Sequence, residues 1–189
     1  MNRIFILFFA ASLVSCSSET PVERRAMSNS EMRDMIIKRI DSLETTMKNQ
    51  NLQPDDELTA NLLQTYVEFS ERYPADLENT PKFLYKAAAI ARSVDLPVKA
   101  LKFYDKIMTD YPNWEKGPEV AFLNAFTYDE DLKEAKLAKE AYEQVIEKYP
   151  GDHWAIQAEQ RLATIEMSDE ELLEFLRQKQ AENAAAESN

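Results

Sequence analysis

The chain has 189 residues, about the size of one domain, and sets 34 Asp and Glu against 22 Lys and Arg for a formal charge of −12. That acidity repels nucleic-acid phosphate and anionic lipid, which excludes nucleic-acid binding and broad adsorption to a membrane surface. With only 2 Gly, the composition argues for helices and against a strand-and-turn fold or a glycine-rich phosphate loop.

In chain order, Arg3 is followed by an apolar run over residues 4–14 and then by Ser15-Cys16. The run is too short to anchor in a bilayer as a spanning helix and suits a cleaved signal. Leu13-Val14-Ser15-Cys16 resembles the bacterial lipobox. The resemblance implies a signal peptide over residues 1–15 and a lipid on Cys16. With Ser17 rather than Asp next, it also implies residence at the outer membrane; with only Glu19 as an acidic residue just after the cysteine, the periplasmic face is expected. Cys16 is the only cysteine, so no disulfide within the chain is expected. Residues 16–29 are polar and low in apolar content, and read as a flexible tether.

Met32, Ile36, Ile40, Leu43 and Met47 fall on one stripe of a helix expected over residues 30–48. Residues 49–54 interrupt the pattern. Asp55 and Asp56 then start a second helix carrying Leu58, Leu62, Tyr66, Phe69 and Tyr73. Further helices are expected over 81–94, 98–110, 118–128 and 133–148. Pro81, Pro97 and Pro118 lie at helix starts, where a missing donor costs nothing. A helix over 152–165 should turn Trp154, Ala158, Leu162 and Ile165 inward. Ser168 and Glu171 form a capping-box signature for a C-terminal helix over about 168–182. Its Leu172, Phe175 and Leu176 either cover the end of the helical domain or meet a partner, and residues 183–189 are expected to be a disordered tail.

A period runs through the middle of this series. Tyr73-Pro74, Tyr111-Pro112 and Tyr149-Pro150 recur at intervals of 38 residues, in the range that marks stacked repeats. Each closes a helix with the same phrase: Leu62 and Tyr66, Ala100 and Tyr104, Ala138 and Tyr142 stand four apart on one face. Pro ends the helix and disfavours helical geometry at the Tyr before it. With Leu84, Ala87 and Ala88 in the preceding helix, these residues resemble the tetratricopeptide (TPR) repeat. The match is partial, since Ala91 and Asp129 take places where the family has an aromatic residue; the latter implies a shifted or lengthened turn. The resemblance implies an all-α fold, a tetratricopeptide-like α-solenoid of about three helix pairs over residues 30–167 plus capping helices.

Catalytic chemistry finds little support. His153 is the only histidine, which rules out a two-His metal site in one chain, and it reads as a polar residue near a helix start. No Gly-x-x-x-x-Gly-Lys or Gly-x-Gly-x-x-Gly motif occurs. Acidic clusters at residues 55–57 and 169–171 suit helix starts, and Asp129 to Asp131 reads as a solvated turn. No enzyme activity, metal or cofactor is expected beyond the covalent lipid. Carried over position by position, the TPR resemblance implies a groove for a peptide or partner protein lined by Lys82, Tyr85, Ala89 and Arg92 from one unit and Val120, Leu123 and Thr127 from the next. The expected role is an adaptor for a protein of the cell envelope. The alternatives are a module that binds cell wall or a small molecule, and a permanent structural subunit of an envelope complex.

Overall fold

A computed structural model describes residues 26–49, 56–165 and 167–187, and over these the chain is all-helical, with no strand. The expected signal peptide, the lipidated Cys16, most of the tether and Asp55 lie outside the described residues. The helices are α1 (Asn29–Asn49), α2 (Asp56–Arg72), α3 (Asn79–Ser93), α4 (Pro97–Asp110), α5 (Gly117–Phe126), α6 (Ala135–Lys148), α7 (His153–Leu162) and α8 (Asp169–Glu187). A π-helical segment, Thr127–Asp131, prolongs α5.

Local rules set most of the boundaries. α2, α4 and α6 each end one residue before a Tyr-Pro pair. Tyr111 (φ −130°, ψ 52°) and Tyr149 (φ −129°, ψ 54°) leave the helix in nearly the same conformation, as the following Pro requires. A β-turn follows each time, with Pro second: Asp76, Trp114 and Asp152 donate their N–H to Tyr73, Tyr111 and Tyr149 O at 3.0, 3.0 and 3.1 Å. In the third turn Gly151 takes φ 79°, which a side chain would strain. In the first and third turns the closing residue then starts the next helix. Asp76 accepts the Asn79 N–H at 2.9 Å and Asp152 accepts the Trp154 N–H at 2.8 Å, each satisfying a donor the helix leaves open.

α3 ends in a Schellman motif, with Leu96 N–H to Ala91 O at 2.8 Å and Asp95 N–H to Arg92 O at 3.2 Å. Asp95 holds φ 57°, the left-handed place that glycine fills most easily. Reciprocal bonds between Ser168 and Glu171 open α8 (2.8 and 3.3 Å), as the capping-box signature predicts, and the same box forms between Ser28 and Glu31 ahead of α1.

The apolar residues form three cores in series. Ile36, Ile40, Leu62, Tyr66, Phe69, Phe83 and Ala87 make the first, joining α1, α2 and α3. Leu84, Ala88, Ala91, Ala100, Tyr104, Ile107 and Val120 make the second, joining α3, α4 and α5. The third joins α5, α6 and α7 around Phe122, Ala125, Ala138, Tyr142 and Ala158. Fully buried Ala87, Ala88, Ala100 and Ala138 let neighbouring backbones approach, and on α4 and α6 the aromatic one turn on, Tyr104 or Tyr142, fills the space beside the alanine.

The buried tyrosines keep their hydroxyls on polar partners, as such rings require. Tyr66 donates to Glu44 at 2.7 Å, Tyr142 to Asp129 at 3.2 Å, Tyr73 to Asn29 O at 3.1 Å and Tyr111 to Pro74 O at 2.7 Å. Trp154, Leu162 and Ile165 pack on the third core as expected. α8 runs to Glu187, beyond the expected end, because its Ala-rich tail favours helix. Leu173 and Leu176 on it stay exposed, and α8 pairs with no other helix as closely as α1 to α7 pair in succession.

Two substitutions test these local assignments. Asp95→Gly should raise the unfolding free energy by about 1 kcal/mol, by relieving the left-handed side chain at the α3 terminus. Tyr111→Phe should lower it by about 1 kcal/mol through loss of the bond to Pro74 O. Urea unfolding midpoints at constant slope read both.

Candidate functional site

A concavity of about 770 Å³ lies between the first half of α3 and the loop that joins α4 to α5. α3 contributes Lys82, Tyr85 and Lys86, and the loop contributes Pro112, Trp114 and Lys116. Tyr85 and Trp114 meet edge to face, with centroids 5.8 Å apart and planes at 61°. The Tyr85 hydroxyl donates to Glu119 Oε1 at 2.6 Å. Burial, then this bond to a carboxylate, pushes the phenol pKa up, so the hydroxyl stays a donor at neutral pH. Lys116 Nζ lies 4.8 Å from the Tyr85 ring centroid and 3.3 Å from Glu119 Oε2. The result is a rigid aromatic wall whose polar tip is already satisfied.

Trp114 was not foreseen as a site residue, although the repeat marks it. It falls 38 residues after Asp76 and 38 before Asp152. Those two acids accept backbone N–H groups at the starts of α3 and α7, whereas the Trp114 side chain has no acceptor to offer the start of α5. A half-buried Trp therefore replaces a cap worth about 1 kcal/mol, and local stability yields to surface chemistry at this position.

The structure divides the residues expected in the groove. Lys82, Tyr85 and Ala89 reach the surface of α3, and Lys82 and Tyr85 line the cleft. Arg92 is engaged elsewhere, its Nε and Nη2 lying 2.5 and 3.0 Å from the Asp131 carboxylate. Leu123 is half-buried against the second and third cores. Val120 and Thr127 are 0% exposed, and Thr127 donates its hydroxyl to Leu123 O at 2.7 Å; neither can touch a partner. α5 is apolar on most sides and is enclosed by α4, α6 and α7, so the face carrying residues 120 and 127 packs inward.

The acidic run 129–131, expected as a solvated turn, is instead a paired hub. Arg161 on α7 donates to Asp129 Oδ2 from Nε at 3.0 Å and Nη2 at 2.5 Å, and also to Glu130. Lys133 reaches Glu130 at 2.7 Å, and Tyr142 and Arg92 take Asp129 and Asp131. Phe126 sits between the two guanidinium groups, at 5.0 Å from Arg92 and 5.3 Å from Arg161, in cation–π range. The π segment makes this possible by turning three consecutive acids toward partners on α3, α6 and α7. His153 is exposed at the first residue of α7, edge-on to Trp154. Among the described residues, no group of three His, Cys, Asp or Glu is placed to hold a metal ion. No described helix is long and apolar enough to cross a membrane.

Compared with known proteins, the chain matches no protein-family model and no curated protein.

The ion pairs carry a signed pH dependence. Lys133 and Arg161 hold the Glu130 carboxyl below its usual range. Burial lifts Asp76 and Glu44, but Asn79 and Arg33 on one, and Lys86 and Tyr66 on the other, bring both below the usual range as well. A carboxyl depressed by folding stabilises above its unfolded pKa of about 4 and loses that contribution as pH falls through its folded value. Asp105, raised by burial, runs the other way and offsets part of the loss. Thermal midpoints should therefore fall as pH drops from about 5 to about 3. Arg161→Met should cost about 1–3 kcal/mol at neutral pH, by removing the guanidinium that Asp129 and Glu130 share and leaving them only the Tyr142 hydroxyl and Lys133, and should flatten the acid limb of that profile.

Proposed function

We propose that this protein is a non-catalytic interaction adaptor of the bacterial envelope that receives an extended segment of a partner protein in the cleft beside α3. In this reading α1 with α2, α3 with α4, and α5 with α6 are the three helix pairs of a tetratricopeptide-like solenoid, with α7 and α8 as additional end helices. A lipid on Cys16 holds the solenoid at the outer membrane, facing the periplasm. Supporting the repeat reading are the 38-residue spacing of the Tyr-Pro turns and the cores in series, each joining one helix pair to the next helix.

The observation that carries the binding assignment is Trp114. It stands where the flanking units place a capping Asp, it leans on Tyr85, and it lines the cleft. Half-exposed aromatic residues in a concave site are the usual anchors of an interface. A second reading has a specific observation in its favour. A cleft of about 770 Å³ is within the size range of small-molecule sites, so a cell-wall fragment could occupy the same wall.

Photo-crosslinking in living cells from position 89, exposed on α3 one turn after Tyr85, separates the two, since a protein adduct supports the adaptor and its absence alongside retained cell-wall fragments supports the alternative. Trp114→Asn offers a cap-competent, neutral residue at the turn. Helical content by circular dichroism should stay unchanged while partner capture falls at least tenfold, the loss expected for an aromatic anchor. Capture that survives this substitution would remove the cleft from the assignment.

A further inference from the structure

The charges left over in the cleft point to the chemistry of its partner. Three lysines line it, Lys82, Lys86 and Lys116. Lys86 is committed to Glu44, with Nζ 2.6 Å from Oε1, and Lys116 to Glu119 and the Tyr85 ring. The nearest arginine on α3, Arg92, is spent on Asp131. Three acids line the same cleft, Glu78, Asp110 and Glu115, and of these Asp110 is paired, with Lys106 Nζ at 2.5 Å. Among the described residues Glu78, Glu115 and Lys82 form no ion pair, so the uncommitted charge of the cleft is two carboxylates against one ammonium.

The rings point the same way. Lys116 Nζ already rests over Tyr85 at 4.8 Å, so the aromatic wall accepts a cation in its resting state, as the negative faces of such rings favour. The formal charge of −12 adds a long-range pull on a cationic segment and a push against an anionic one.

We infer that the cleft is selective for an extended basic peptide segment. Glu78 and Glu115 pair with its Lys or Arg side chains, and Trp114 packs against their aliphatic stems. This rests on the reading of the cleft as the partner site and adds the sign of the partner. Lys82 and Arg92, the two cations expected in the groove from sequence, do not set that sign, because Arg92 is neutralised within the fold and Lys82 is outnumbered.

The test uses the full chain, labelled with ¹⁵N, in a non-ionic detergent. The probes are an alternating Lys-Pro peptide and its Glu-Pro and Ser-Pro counterparts, which share an extended polyproline backbone. The readout is the Trp114 indole N–H signal, distinguished from that of Trp154 by a Trp154→Phe variant. The Lys-Pro peptide should shift the Trp114 signal saturably and bind more weakly as salt rises. Glu78→Gln with Glu115→Gln should weaken it about three- to tenfold, the range for two exposed charge pairs, and Lys82→Gln should strengthen it.

Equal or tighter binding of the Glu-Pro peptide, or a double variant that binds Lys-Pro unchanged, would overturn the basic preference and leave the cleft assignment standing. A Trp114 signal that none of the three peptides moves would overturn both.

Discussion

A helix with two apolar faces is the constraint on which the structure depends. α3 gives Phe83 and Ala87 to one core and Leu84, Ala88 and Ala91 to the next, so it is buried from two sides and leaves one strip for solvent. α5 repeats the arrangement, with Val120 on one side and Ala121, Phe122 and Ala125 on the other. Removing either helix would open two cores at once, because no single helix pair can bury its apolar surface alone. The part of α3 left for other work is the strip carrying Lys82, Tyr85 and Ala89, and the cleft lies along its first half, at Lys82 and Tyr85.

Polar groups fix how these cores sit relative to one another. Tyr66 reaches from α2 to Glu44 on α1, and Tyr142 from α6 to Asp129 on the π segment. Arg33 on α1 reaches Asp76 at 2.6 Å, while Asp76 also starts α3. Such bonds add modestly to stability. Their larger effect is to hold each ring and carboxylate in one place, since a buried hydroxyl that loses its partner costs more than the bond contributes. The hub at Asp129, Glu130 and Asp131 does this on the largest scale, joining α3, α6 and α7 through one irregular turn.

The same pairing explains why the cleft is left with so few free cations. Arg92, Lys86 and Lys116 each meet an acid of the same chain, two of them from distant helices, so cations that look available along α3 are committed to holding the fold together. What remains open is an aromatic wall, two carboxylates and the single ammonium of Lys82. The replacement of a capping Asp by Trp114 fits this picture: the turn forms without the cap, and the side chain that would have stabilised α5 faces the cleft instead.

The helical class, the helix ends just ahead of Tyr73, Tyr111 and Tyr149, the small-residue and aromatic faces and the Ser168 cap were legible in the chain by itself. They depend on neighbours within about four residues, where the rules of caps, turns and helix faces apply. The tertiary structure alone decided which charges are free and which groove positions are buried. Arg92 meets Asp131 across 39 residues and Lys86 meets Glu44 across 42, separations at which no local pattern acts. Val120 and Thr127 read as groove residues by repeat position, yet the enclosure of α5 by three helices turned them inward. The π segment likewise sets Asp131 against Arg92 and Asp129 against Arg161, pairs of side chains that meet only once the chain has folded.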